Sequence, residues 1–285
     1  MFSKLLPTSK KKKKYLNKIL VVTGAGSGFG REIALLFAQH GAIIIGVDIN
    51  LATAEKTAEE VRQLGVTAYA KQVDVGNLEQ MEAFAAWVHE TVGAPDIVVN
   101  NAGIGMGGAF LDTTSENWSR IFNVNLWSVI HSSRLFAQQM VDAKKSGHIV
   151  NMASMAAYTP SRTTAAYATT KAAVRMFSDC IRAELADYNI HVSTIFPGFS
   201  TTGIINNTQF VGASAEQQAA IRNKVNKLYS LRSLPPVRIA EAVLAAVDYK
   251  QPEIPVGIES AGMKILSRVS PSLVRYLARF DPTPH

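Results

Sequence analysis

The chain has a single cysteine, no apolar run of the ~20 residues a membrane-spanning helix needs, and almost no net charge outside one short stretch. Cys180 alone rules out an intrachain disulfide framework and suits a reducing compartment. It falls in an apolar helical pattern, which points to inert core packing. The formal net charge is +7, yet Lys4 and Lys10 through Lys14 supply six of those charges and leave +1 for the remainder. A body so close to neutral lacks the spread basic face that nucleic-acid binding requires, so no nucleic-acid partner is expected. The arm shows neither the apolar stretch nor the cleavage pattern of a secretory signal, and the expected location is cytoplasmic. Internal repeats are absent, and the lysine run is the one low-complexity stretch.

What is present is 285 residues, 47% of them apolar, enough to bury the core of one large α/β domain. Short apolar runs at 19–22, 42–47, 67–73, 97–99, 148–151 and 190–196 read as buried strands. Between them lie helical patterns up to His40 and over 51–64, 78–92, 115–143 and 164–188, three of them followed by Gly41, Gly65 and Gly93. Strands of this kind alternating with helices predict a parallel sheet covered on both faces.

The first strand runs through Thr23-Gly24-Ala25-Gly26-Ser27-Gly28-Phe29-Gly30 directly into a helix. Glycines there let backbone approach a pyrophosphate, while the helix N-terminus offers free N–H groups and a partial positive charge. Asp48 ends the second strand, eighteen positions after Gly30. A carboxylate at that distance can accept hydrogen bonds from the adenosine ribose and would repel a 2′-phosphate, which favours NAD over NADP. Asp48 could instead cap the helix starting near Leu51.

Tyr167 and Lys171 are four residues apart, so on a helix they face the same way, and Ser154 lies thirteen residues before the tyrosine at the end of a strand. A fixed ammonium beside a phenol can lower the phenol's pKa and make it a proton-transfer group.

Together these residues resemble the short-chain dehydrogenase/reductase family over about residues 18–200. The resemblance implies a single doubly wound parallel sheet of Rossmann type with helices on both faces. It matches Thr23, Gly24, Ser27, Gly28, Phe29 and Gly30 to the cofactor turn, Asp74 and Val75 to the adenine side, and Asn101, Ala102 and Gly103 to the strand beside the cofactor. Asn125, Ser154, Tyr167 and Lys171 match the family's catalytic set, with Asn125 expected to interrupt its helix. Pro197, Gly198 and Thr202 match the segment that grips the nicotinamide carboxamide; Phe29 and Ser200 depart mildly from the usual pattern. The implied reaction is hydride transfer between nicotinamide and an alcohol or carbonyl carbon. Alternatives are an NADP(H)-dependent carbonyl reductase, or an NAD(H)-binding sensor, which would have no need of the phenol.

Segments expected around the nicotinamide carry Met106, Phe110, Met155, Tyr158, Phe199, Ile204 and Ile205 and few charges. They favour a hydrophobic alcohol or ketone, lipid-, steroid- or retinoid-like, with Ser154, Tyr167, Met155 and Phe199 touching it. The resulting division is a basic arm at 1–17, an NAD-binding catalytic domain at 18–258 and a basic amphipathic tail at 259–285. In the tail, Lys264, Arg268, Arg275 and Arg279 accompany apolar residues at helical spacing, and Ser270-Pro271 is expected to cap and begin a second short helix. Such a tail, with the arm, could rest on an anionic membrane, or it could pack on the body. The family resemblance implies a homodimer or homotetramer.

Overall fold

The computed structural model describes residues 13–199, 208–230 and 234–279, without the side chains of 225–230. Seven parallel strands form one sheet: β1 (Ile19–Thr23), β2 (Ile43–Asp48), β3 (Ala68–Gln72), β4 (Ile97–Asn100), β6 (Gly147–Met152), β7 (Ile190–Pro197) and β9 (Glu253–Val256). Their order is β3-β2-β1-β4-β6-β7-β9, so the winding direction reverses between β1 and β4. A two-stranded ribbon pairs β5 (Met106–Gly107) with β8 (Gln209–Phe210).

Period-two alternation splits each strand's side chains between two cores. Leu20 and Val22 join Ile33 and Phe37 of α1 (Gly28–Gln39), Val61 of α2 (Leu51–Gln63) and Val243 of α8 (Pro236–Tyr249) on one face. Ile19 and Val21 join Phe84 of α3 (Leu78–Val92) and Phe136 of α5 (Ser128–Asp142) on the other, with Ile181 of α6 (Ala165–Leu185) packed against them. Because both faces are covered, the central strands read as continuous apolar runs.

The helix expected over 115–143 is continuous in backbone conformation but changes register within. α4 (Ser115–Phe122) leads into a π turn at Asn123–Trp127 before α5 begins. The expected interruption at Asn125 is thus a register change of one residue, a local distortion that frees a backbone group. The seventh strand, β9, escapes sequence reading because its four residues are half-buried and include Pro255, tolerated there because β9 is an edge strand. α7 (Ala215–Ser230) precedes α8, and the tail folds as α9 (Ile258–Val269) and α10 (Pro271–Leu277).

Three expectations need correction. Cys180 lies on the outward face of α6 and is exposed, so it does not pack in the core. Tyr15, within the stretch assigned to the arm, is buried against Phe37 and donates to Asp248. Ser270 occupies the position before α10, but its side chain makes no capping hydrogen bond.

At the amino edge of the sheet Asp96 is buried, and its carboxylate accepts from the Ile19 N–H and from the ammonium groups of Lys18 and Lys145, each at 2.9 Å. Burial alone would raise its pKa, but these donors outweigh it and hold the carboxyl below the usual 3.8. Under the opposite edge Asn100 donates to Asn151 (2.8 Å) and Ser133 (3.1 Å), and Asn151 donates to Ser178 (2.9 Å). These bonds tie β4 and β6 to α5 and α6 directly beneath the crevice.

Candidate active site

The strand order reverses between β1 and β4, the position at which a doubly wound sheet places its ligand crevice at the carboxyl edge. The glycine-rich turn lines one side. Gly24 has φ +67°, a left-handed conformation that favours glycine, and a Cβ on Gly30 would collide with the Gly24 carbonyl oxygen. Ser27 makes no side-chain cap and the first turn of α1 holds no acidic residue. The first turn of α1 thus carries no side-chain cap or acidic residue of its own, and this cradle fits a dinucleotide's phosphates.

Thr23 and Asn101 fasten the turn to β4. Thr23 Oγ1 accepts from the Asn101 and Ala102 N–H groups at 3.0 Å, and Asn101 Nδ2 donates to the Thr23 carbonyl at 2.9 Å. Asp48 sits at the end of β2, where its two oxygens accept from the Gly26 and Asn50 N–H groups at 3.0 Å. Capping of α2 falls to Asn50, whose side chain accepts from Ala52 and Thr53. Asp48 is thereby held beside the glycine turn. Asp74 accepts from the Gly76 N–H at 2.9 Å, shaping the turn after β3, and Val75 is buried.

Ser154, Tyr167, Lys171 and Asn125 lie on the other side. Ser154 follows β6, where its hydroxyl accepts from the Ala156 N–H at 3.2 Å and acts on the phenol of Tyr167, in the first turn of α6. Lys171, one turn later and buried, donates to the Met152 carbonyl at 2.9 Å, with its Nζ 5.9 Å from the centre of the Tyr167 ring. Asn125, fully buried in the π turn, exchanges hydrogen bonds with the Ile104 backbone: Oδ1 accepts at 2.8 Å and Nδ2 donates at 2.9 Å. Gly103 separates Asn125 from Lys171, since a Cβ there would lie 3.3 Å from Asn125 Oδ1 and 3.6 Å from Lys171 Nζ.

The electrostatics differ from the expectation of a phenol lowered by its neighbouring ammonium. Loss of water around the Tyr167 hydroxyl pushes its pKa up, and the hydrogen bond from Ser154 opposes this. Burial brings the Lys171 ammonium down to about 8. Both groups are thus driven toward their neutral forms, and the protein alone leaves the phenol protonated at neutral pH.

Pro197 ends β7, and Gly198 and Phe199 continue along the same edge. Thr202, Ile204 and Ile205 lie outside the described residues, as do Lys4 and Lys10 through Lys12. Met155 opens the turn after Ser154. Met106 is buried within the ribbon, whereas Phe110 is 66% exposed. Tyr158 is a core residue: it is buried, with its ring stacked 4.5 Å from Phe196. Among the described residues no cluster of ligating side chains could hold a metal ion, and no helix is long and apolar enough to cross a membrane.

The family model described as short chain dehydrogenase matches residues 18–210. A protein named probable oxidoreductase EphD, from Mycobacterium tuberculosis, is 46% identical over 268 residues. That match covers 93% of this chain and 45% of the relative, so the chain spans under half of that protein's length. Cyclohexanol dehydrogenase from an Acinetobacter species is 34% identical over 67% of this chain and 76% of its own. Among solved structures, a short-chain dehydrogenase/reductase from Burkholderia phymatum in complex with NAD superposes with a TM-score of 0.82. It is 25% identical, over 95% of this chain and 98% of its own. A metagenomic short-chain oxidoreductase in complex with NADP gives a TM-score of 0.69 at 26% identity, over 85% and 98%.

Proposed function

The chain belongs to the short-chain dehydrogenase/reductase family of oxidoreductases, and on that premise we propose an NAD-dependent enzyme acting on a hydrophobic secondary alcohol or ketone, with Tyr167 as general acid/base. The observation that carries this is Lys171, buried and 5.9 Å from the centre of the Tyr167 ring, with Ser154 acting on the same phenol, at the sheet edge that also bears the glycine cradle. NAD, when bound, supplies the hydride acceptor at its nicotinamide. In the oxidative direction Tyr167 Oη, once its own proton has left to solvent, would take the alcohol's hydroxyl proton while the carbinol carbon gives its hydride to bound NAD, leaving a ketone. Ser154 Oγ orients the substrate oxygen, and Lys171 favours the phenolate once Tyr167 is to act as base. Asn125, held by the Ile104 backbone, keeps the π turn open beside Lys171 for a solvent relay.

Asp48 supports the choice of NAD. A 2′-phosphate about 4 Å from a carboxylate meets roughly 4 kcal/mol of repulsion at an effective dielectric of 20, and no basic side chain pairs with Asp48 among the described residues. Met155, next to Ser154, supports an apolar substrate, as does the likeness to a protein named for cyclohexanol. The test is initial-rate assay of a panel of cyclic, long-chain and polyol substrates with NAD(H) and NADP(H). Turnover confined to apolar alcohols or ketones with NAD(H) is expected; efficient polyol oxidation, or a preference for NADP(H), would overturn the corresponding part.

Two surfaces bear on partners. Between α5 and α6 lies an open groove whose apolar floor of Ala137, Val141, Phe177, Ile181 and Leu185 is accompanied by Arg134 and Glu184, a mixed lining on which a second copy could seat; light scattering reads whether the protein self-associates. The solvent face of α9 carries Ile258, Ile265 and Val269, between 63% and 90% exposed, which supports peripheral contact with an anionic membrane. Lys264 and Arg268 are engaged by Glu253, so fewer of the tail's basic groups serve that contact than the sequence implied. Co-sedimentation with phosphatidylserine vesicles at low salt is the expected result, and none at low salt would exclude it.

A further inference from the structure

Pro197, Gly198 and Phe199 must be held in place if they are to bind the nicotinamide end of a cofactor, yet they leave the last residue of β7 with little regular structure to hold them. The C-terminal segment supplies what β7 does not. Gly198 N–H donates to the Val256 carbonyl at 2.9 Å, and Ser260, fully buried on α9, donates through its hydroxyl to the Phe196 carbonyl at 2.7 Å. Between these two anchors the Glu259 carboxylate accepts from the Phe199 N–H at 3.1 Å.

Two glycines leave room for that reach. A Cβ on Gly198 would lie 2.8 Å from Glu259 Oε1, and one on Gly257 would lie 3.2 Å from its carboxyl carbon. Gly257 also has φ +99°, so a side chain there is strained as well as crowded. A glutamate in the first turn of a helix ordinarily needs no further explanation, because the helix N-terminus favours negative charge. Here its oxygen leaves its own helix and binds the backbone of another element, three residues from the end of β7's core-forming run. Both Glu259 and Ser260 lie beyond residue 210, where the family match ends.

We infer that Glu259 is a positioning residue: through the Phe199 amide it fixes the Pro197–Phe199 segment against the nicotinamide end of the cofactor, so the C-terminal helix sets cofactor affinity. This rests on the dinucleotide reading above. A charge-assisted bond of this kind, once lost, changes binding by about tenfold or more if the held segment touches ligand.

The experiment compares two probes on the intact chain. NADH carries the nicotinamide; ADP-ribose has the adenine, ribose and phosphates without it. Glu259→Ala is expected to weaken NADH binding about tenfold while ADP-ribose affinity stays within about twofold. Glu259→Gln keeps an acceptor oxygen and should restore NADH binding to within about threefold. Glu259→Asp, one methylene short, should resemble alanine and carries the test if the alanine variant does not fold. Lys264→Met removes a different α9 contact, the 2.7 Å pair with Glu253, and should lower the melting temperature without changing NADH affinity. Unchanged NADH binding in Glu259→Ala, parallel loss of both probes, or an equal loss in Lys264→Met would overturn the inference. Failure of the unaltered protein to bind either probe would instead overturn the dinucleotide reading itself.

Discussion

The two edges of the sheet each bury a charged side chain, and they treat it in opposite ways. At the amino edge Asp96 has three donors around it, two of them ammonium groups, and its carboxyl is easier to ionise than usual. At the carboxyl edge Lys171 has one backbone carbonyl, no ion pair among the described residues, and an ammonium brought down to about 8. A buried charge that is fully met stabilises the fold; one left under-met is costly and persists where something else is to complete it. A related contrast separates the Asn100–Asn151–Ser178 strip, linked by side-chain hydrogen bonds though Asn100 Oδ1 has no partner, from the N-terminus of α1, which has no side-chain cap. Stability is concentrated below the crevice, and unmet polar capacity at its rim.

The comparison breaks most sharply if the edges can be exchanged in their effects. Tyr167→Phe should reduce turnover by about 10²–10⁴-fold with an unchanged melting temperature, measured by steady-state kinetics and thermal unfolding. Retained turnover would mean that the phenol is not the proton carrier. Asp96→Asn should do the reverse and cost about 2–3 kcal/mol in urea unfolding while leaving kcat/KM of the folded fraction intact. Equal losses in both measurements would erase the distinction.

The pH dependences sharpen it further. Asp96 has a folded pKa below its unfolded value of 3.8, so its contribution is fully present above that value and is lost as pH falls through the folded pKa. The stability gap between the native chain and Asp96→Asn should therefore close in acid. Lys171 titrates near 8 when folded and 10.5 when unfolded, so the unfolded chain binds more protons between those values. Its burial cost is complete below pH 8 and eases as pH rises toward 10.5. Lys171→Met should accordingly gain stability over the native chain at pH 7, and lose that advantage by pH 10, in paired urea titrations. A gap that stays constant across this range would show that the ammonium is not under-solvated in the folded protein.

Legibility followed the range of the interaction. Five of the six strands found in sequence are largely buried and apolar, and the edge strand β3 was legible between two helical patterns; β9, half-buried and carrying Pro255, shows no apolar run. Tyr167 and Lys171 could be paired, and Ser154 placed beside a strand end, because helical spacing and strand ends are local properties, whereas Asn125 was matched through the family resemblance; Asn125 and Lys171 lie on either side of Gly103. Cys180 was misjudged because an apolar helical pattern does not show which face turns outward when α6 borders an open groove. Glu259 carried no signal at all, since its partner amide is sixty residues away.

The order of apolar runs and glycine turns, set by hydrophobic burial and backbone sterics, was enough by itself to determine a parallel two-layered core, a phosphate-fitting turn and a phenol and ammonium on one helical face. Only the tertiary structure decided how much water and how many partners each charge would keep. Solvation at a given atom depends on everything packed around it, and that is why Lys171 falls to about 8 while Asp96 stays ionised at the other end of the same sheet.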